Sequence, residues 1–520
     1  MAGETNGGKR TTGLIDTVGE NPSPVSPCPL PGMNPFADVA ETHSGVVFFV
    51  GDRAYKLKKS LHFGFLDYTT RPTREWICHR EVELNKRLAP DVYLGVADLV
   101  GPDSDLQDHL VVMRRLPADR RLSSLVAEND PTVREQLRRV ARRLASFHSE
   151  AATSPDIRRA ATSRAMLSRW AANADDISRL NRSSLASADV ARVLELAARY
   201  LEGRSRLFDV RVAAGRARDG HGDLLADDIF CLDDGPRILD CIEFDDSLRY
   251  GDVLSDVAFL AMDIERLGRP DLAGWFLGSY REQTADTWPD SLQHHHVAYR
   301  AFVRAKVAAL RAIQEDKDDA PEPTGLLNMT LEHLNRGRIR LIVVGGLPGS
   351  GKSTLASMIA DELGAALLSS DELRKQQAGL DVTASASAGY QEGLYRPEVT
   401  QATYDQLLGR ASVALGDGFS VVIDASFGDP AARDRARKIA DSAAADLDQV
   451  RCVAPMRVIE QRIVERALKP HHPSDASVSV ARAMHAEQAP WPGALEVDTA
   501  RPVDDVADDV FNRLRIGPTS

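Results

Sequence analysis

Five cysteines in 520 residues (Cys28, Cys78, Cys231, Cys241 and Cys452) are few, odd in number and widely scattered. No CxxC pair and no Cys/His cluster occurs, which argues against a disulfide framework and a zinc site and fits a reducing compartment. No apolar run approaches the roughly 18 residues needed to cross a bilayer. The first residues, MAGETNGGKRTTGLIDTVGENPSPVSPCPLPG, lack the apolar core of a signal peptide. A basic excess is missing too: 64 Lys and Arg against 76 Asp and Glu leave a net charge of −12. That balance argues against a nucleic-acid partner and against a membrane surface. No internal repeat is present.

What remains is an ordinary soluble composition, 43% hydrophobic and 27% charged, able to bury large cores. At about 150 residues per domain the length allows three or four domains, or two larger ones. Gly, Pro and Ser content makes residues 1–35 a disordered leader. Residues 45–59 read as a hairpin turning at Gly51-Asp52. A helix is expected over 78–89 and a strand over 109–116. Residues 131–215 are mainly helical, short strands follow at 229–232 and 237–244, and long helices run over 254–313. The segment QEDKDDAPEPTG combines charge with Pro and Gly, so 314–337 reads as a linker with room for a short helix. From Arg338 onward strands alternate with helices, the pattern of a parallel α/β domain.

Gly346-Leu347-Pro348-Gly349-Ser350-Gly351-Lys352-Ser353, followed by Thr354, satisfies G-x-x-x-x-G-K-[ST] between an apolar strand and an amphipathic helix. Such glycines let backbone N–H groups turn around phosphate oxygens, and the helix N-terminus adds its positive dipole end. Lys352 would reach the β/γ-phosphates of ATP and the Ser353 hydroxyl would ligate Mg²⁺. Asp424 ends the strand SVVID, where it either holds Mg²⁺ or its waters or caps a turn. Asp371 follows the strand ALLSS and either accepts a proton from an acceptor hydroxyl or caps the next helix. Arg457, Arg462 and Arg466 form either a phosphate-neutralising lid or a solvated face.

A second constellation is His221-Gly222-Asp223, with Asp228 five residues beyond Asp223. Phosphoryl transfer needs an Asp at the acceptor hydroxyl and a metal ligand five residues later, as in H-R-D-x-x-x-x-N. Asp223 fits the first role and Asp228 the second, with Asp in place of Asn. Upstream, Lys56 on a strand and Glu81 on a helix can form the ion pair that positions the α/β-phosphates. His294, His295 and His296 occupy consecutive helical positions that face different directions and are expected at the surface.

Residues 36–313 resemble the aminoglycoside-phosphotransferase family, a branch of the protein-kinase-like fold. The likeness rests on the hairpin lysine, LASFH, H-G-D-L and the acidic segment ending G-D-x-x-x-D-x-A. It implies a bilobal unit with a small lobe over about 36–116 and a large lobe over about 117–313. It implies that Asp223 is the base and Asp228 a metal ligand, with Glu243 as the second metal ligand and Asp240 and Asp245 as close competitors. Asp252 and Asp256 would support the loop, and Val111–Arg115 would run along the adenine. Residues 338–516 resemble the small P-loop kinases, gluconate-kinase-like and polynucleotide-kinase-like, a P-loop NTPase three-layer α/β domain. There D-x-x-R implies a base in Asp371 and a phosphate-binding arginine in Arg374.

The order of the halves resembles a bacterial family of fused proteins. It implies an ATP- and Mg²⁺-dependent transfer of phosphate to a hydroxyl of a sugar, amino sugar or polyol, in the cytoplasm. The alternative is a nucleotide sensor whose first half is catalytically degenerate. Acceptor identity and oligomeric state are not legible.

Overall fold

Gly45–Val50 and Arg53–Lys58 pair antiparallel around Gly51-Asp52, with Val50 opposite Arg53 and Gly51 at φ 58°. A computed structural model describes this and the rest of residues 37–41, 45–63, 66–180, 184–317, 320–381, 392–393, 396–467 and 476–515. The expected leader 1–35 lies outside the described residues. The hairpin belongs to a five-stranded antiparallel sheet in the order Ala37–Glu41, Gly45–Val50, Arg53–Lys58, Leu106–Arg114, Tyr93–Val100. Across it lies the helix Arg71–Asn85, packing Cys78 and Val82 against Val111 and Met113. This helix begins seven residues before the expected 78. Thr70 accepts a hydrogen bond from Thr73 N, and a proline in the first turn fixes the entry.

The large lobe is helical. Val133–Glu150, Ser163–Ser178, Ser187–Gly203, Val253–Arg266 and Pro270–Thr284 pack with the long helix Asp290–Gln314. Of the strand expected over 237–244, Gly235–Ile238 alone pairs back onto Ile229–Leu232. The chain leaves the ladder where Asp240 takes a left-handed backbone, φ 63°. The three histidines correct an expectation. His295 and His296 are 1% and 0% exposed, because their helix runs through the lobe and has no solvent face there. His295 stacks on Tyr200 with ring centroids 4.6 Å apart, and His294 Nδ1 lies 3.0 Å from His333 Nδ1.

The expected linker is also corrected. Pro321–Arg336 is a helix that buries Leu326, Leu327 and Leu334 against the large lobe. Its prolines stand in the first turn, where a missing N–H costs nothing, so they start the helix instead of breaking it.

The second sheet is parallel, in the order Ala366–Ser369, Val421–Asp424, Arg340–Gly346, Asp446–Val453, Leu495–Asp498. Strand periodicity sends Leu341 and Val343 to one face and Ile342 and Val344 to the other. The latter meet Leu355, Ala356 and Ile359 of the helix Lys352–Leu363. The former join one continuous core with Tyr404, Leu415 and Ala443, and with Tyr200, Leu207 and Leu326 of the first half. Polar contacts seal the same seam: Ser291 Oγ donates to Gly418 O at 2.7 Å, Arg199 pairs with Asp446 at 2.7 Å, and Arg204 donates to Ala443 O. Among the described residues, no helix is long and apolar enough to cross a membrane.

Candidate active sites

Lys56 lies mid-strand in Arg53–Lys58 and Glu81 in the helix packed across the sheet, which brings Lys56 Nζ to 3.0 Å from Glu81 Oε1. The same ammonium lies 2.5 Å from Asp240 Oδ1. Burial opposes the Lys56 charge, but Asp240 and Glu81 together outweigh it and hold its pKa well above the ordinary lysine value. The expected Lys–Glu pair is therefore formed, with a third partner.

The loop at Asp223 is held from below. Asp256 accepts from His221 N at 2.6 Å and Gly222 N at 2.8 Å, and Asp263 accepts from Ala226 N at 2.8 Å. His148 Nε2 lies 3.1 Å from Asp256 Oδ2. Asp252, expected to share that task, caps the helix Val253–Arg266 and pairs with Arg211 at 2.8 Å instead. Burial pushes the Asp223 carboxyl up to about 6. Burial also raises Asp228, and the charges of Asp240 and Asp223 add to it. Burial lowers His221 to about 4, which keeps the imidazole neutral.

Glu243 joins this cluster through Lys58, whose Nζ lies 2.5 Å from Glu81 Oε2. Glu243 Oε1 lies 2.5 Å from Lys58 Nζ and accepts from the Tyr68 hydroxyl at 2.8 Å. Asp245 is spent on a turn, accepting from Ser247 N at 2.8 Å. Asp240 takes the inner position: its left-handed backbone turns it from the strand, and Leu239 N donates to Asp228 O at 2.9 Å next door. Burial opposes the Asp240 charge, but Lys56 and Lys58 outweigh it and lower its pKa. The side chain of Asp240 is still 45% exposed. A carboxylate that is partly open and close to two like charges suits a bound cation. Among the described residues, no three His, Cys, Asp or Glu side chains group to hold a metal by themselves. Magnesium held through one or two carboxylates plus phosphates does not need that. A cavity of about 490 Å³ reaches Asp223 and Gly222.

The second site stands on the P-loop. Gly346, Gly349 and Gly351 take φ 145°, 80° and 84°, conformations that side chains rarely adopt. The turn delivers Lys352 to the start of its helix. The Ser353 hydroxyl lies near Asp424 at the neighbouring strand end, where it favours the ionised Asp424 carboxylate. Burial raises the Asp424 carboxyl against the pull of Lys352, and its Oδ1 has no hydrogen-bond partner among the described residues. A buried carboxylate oxygen beside a P-loop hydroxyl fits a magnesium ion or its waters.

Lys352 borders two cavities. One, about 370 Å³, is lined by Gly351, Ser353, Thr354, Arg462, Arg466 and Thr499. Arg462 is held over the loop by donating to Thr499 O at 2.7 Å. Arg457 is exposed and borders neither cavity. The other cavity, about 570 Å³, is lined by Asp371, Arg374, Gln401, Tyr404, Ser426 and Arg435. Arg374 Nη1 donates to Asp371 Oδ1 at 2.9 Å. The helix cap is Ser369, which accepts from Glu372 N, so Asp371 is not the cap.

Sequence reasoning missed Lys58, Tyr68 and Asp263. The first was legible only as a neighbour in RAYKLKK, and the other two join the site through tertiary packing. Fold and sites together give a phosphotransferase-like half joined to a P-loop kinase-like half. Residues 74–290 match the phosphotransferase enzyme family, and residues 341–491 match a family described as AAA domain. An uncharacterized protein of Mycobacterium tuberculosis (strain ATCC 25618 / H37Rv) is 41% identical over 469 residues, 90% of this chain and 93% of that one. An uncharacterized protein of Mycobacterium bovis matches to the same extent. The chain belongs to the family of these proteins. Among solved structures, a choline/ethanolamine kinase family protein from Mesorhizobium loti is similar, at 14% identity over 57% of this chain and 87% of that chain, TM-score 0.37. A gluconokinase from Sinorhizobium meliloti 1021 is similar at 20% identity over 35% of this chain and 93% of that chain, TM-score 0.26.

Proposed function

We propose that the chain transfers the γ-phosphoryl group of ATP to hydroxyl groups at two separate Mg²⁺-dependent sites, acting on small molecules in the cytoplasm. The observation that carries this reading is the convergence of Lys56, Glu81, Asp223, Asp228 and Asp240 in the first half. Magnesium, when bound, supplies charge neutralisation between the phosphates. In the first site Asp228 and Asp240 would hold it, Lys56 would neutralise phosphate oxygens, and Asp223 would orient the acceptor hydroxyl and take its proton. In the second, Ser353 and Asp424 would hold the metal, Lys352 and Arg462 would meet phosphate, and Asp371 would take the proton. Positioning and electrostatics supply most of the rate in such a reaction.

The test is ADP release across sugars, polyols, hydroxy acids and nucleosides, with Asp223→Asn and Lys352→Ala measured separately. Each variant should remove one acceptor-dependent rate and leave the other. Turnover that ignores every acceptor would favour a nucleotide sensor, the reading for which Asp228 in place of Asn speaks.

A further inference from the structure

The cavity beside Asp223 is walled by guanidinium groups, some paired with carboxylates (Arg300 with Asp256 at 4.0 Å, Arg311 with Glu315 at 3.4 Å) and some held by backbone carbonyls alone. Arg300, Arg304 and Arg311 stand four and seven residues apart on the helix Asp290–Gln314, one stripe facing that cavity. Arg300 is fixed by backbone carbonyls, Nε donating to Ser255 O at 3.0 Å and Nη1 to Gly222 O at 3.1 Å. Arg169 donates to Ser247 O at 3.1 Å and Tyr250 O at 2.7 Å. Arg218 likewise meets Ala151 O at 2.9 Å. Arg304 makes no hydrogen bond or ion pair among the described residues, and its charge acts on the Asp223 carboxyl.

The acids of the same wall are otherwise engaged. Asp256 is taken by loop N–H groups and His148, Asp252 by Arg211, and Asp176 by Lys306 at 2.9 Å. Glu322 meets Arg266 at 3.7 Å and Asp245 accepts from Ser247 N, so Asp223 is the lining acid left to face Arg169, Arg218 and Arg304. Such a pocket attracts an anion and repels an ammonium group.

Building on the phosphotransfer reading, we infer that the acceptor of the first site is a small hydroxylated anion, a carboxylate or phosphomonoester, gripped by Arg304 with its hydroxyl toward Asp223. The acceptor oxygen forms a bond to the γ-phosphorus as the bridging bond to the β-phosphate breaks. ADP leaves with that electron pair, and the hydroxyl proton passes to Asp223 and then to water. An amino sugar is the acceptor this wall rejects.

The experiment uses the full chain carrying Lys352→Ala, so that the second site is silent. ADP release is measured with glycerate and gluconate, with glycerol 3-phosphate, with neutral glycerol and glucose, and with cationic glucosamine and kanamycin. The anions alone should stimulate, and the first two against glycerol 3-phosphate separate carboxylate from phosphate. Arg304→Gln should raise KM for the stimulating anion by about tenfold or more while kcat stays close, the loss of one charged contact. Arg304→Lys should restore part of it. Stimulation by glycerol, glucose or an amino sugar as strong as by any anion overturns the inference and leaves phosphotransfer standing. If no compound releases ADP, calorimetry on the same panel decides. Anion binding that Arg304→Gln abolishes upholds the charge assignment while phosphotransfer fails, and absence of anion binding overturns the charge assignment.

Discussion

Lys58 Nζ lies 2.5 Å from Glu243 Oε1, an oxygen that also accepts from the Tyr68 hydroxyl at 2.8 Å. Glu243 therefore ties the small-lobe sheet to the segment after Asp240 and has little left to offer a metal. Glu243→Gln should keep most magnesium-dependent turnover at the first site while lowering stability, since breaking a buried ion pair costs about 3 kcal/mol. Asp240→Asn should instead lower turnover by about a hundredfold or more, with a small change in melting temperature. Magnesium titrations of both variants, alongside thermal melts, check the contrast. Equal loss of turnover in both would refute this division of labour.

Asp223→Asn should reduce acceptor-dependent ADP release at the first site by about a hundredfold or more, the scale of a lost general base. Lys352→Ala should do the same to the second site by removing a phosphate-binding charge. Measuring each acceptor against both variants assigns it to one half.

The first site should lose rate as pH falls through about 6, because burial raises Asp223 to about 6 and the protonated acid cannot take a proton. An ordinary carboxyl, with a pKa near 4, would hold its rate down to about pH 4. Below the raised value the rate should drop by about tenfold per pH unit. A pH–rate profile of acceptor-dependent ADP release on Lys352→Ala protein reads this. A flat profile between about pH 5 and 7 would remove Asp223 as the titrating base.

Gly203 stands at the seam between the halves, where an added Cβ would run into the carbonyl of Ala443. That backbone cannot swing aside as a side chain would, so Gly203→Val should destabilise the protein by about 1–3 kcal/mol. The melting temperature should fall by several degrees, and an unchanged melt would show that the seam yields.

The phosphate loop was legible because strand, turn and helix are consecutive in the chain. Asp223 and Asp228 were legible for the same reason, being five residues apart on one loop. The choice between Asp240 and Glu243 was not, since it turns on the left-handed backbone at Asp240 and on where Lys58 and Tyr68 pack. His295 and His296 were misread because a histidine's polarity says nothing of whether its turn of the helix is buried. The helix Pro321–Arg336 was expected only as a short helix within a linker, because prolines both break helices and begin them. The arginine stripe had helical spacing in plain view, but that Arg304 has no ion-pair partner among the described residues is a property of the assembled lobe.

The core that runs from Tyr200 and Leu326 into Val343 and Ala443 has a further bearing on the chain as a whole. Two units that share buried side chains unfold together, so a calorimetric scan should contain one main transition, and a cut near residue 337 should leave sticky halves. Inheritance follows the same rule. A destabilising change in either half lowers the amount of both halves at once, so the two come under selection as a single trait.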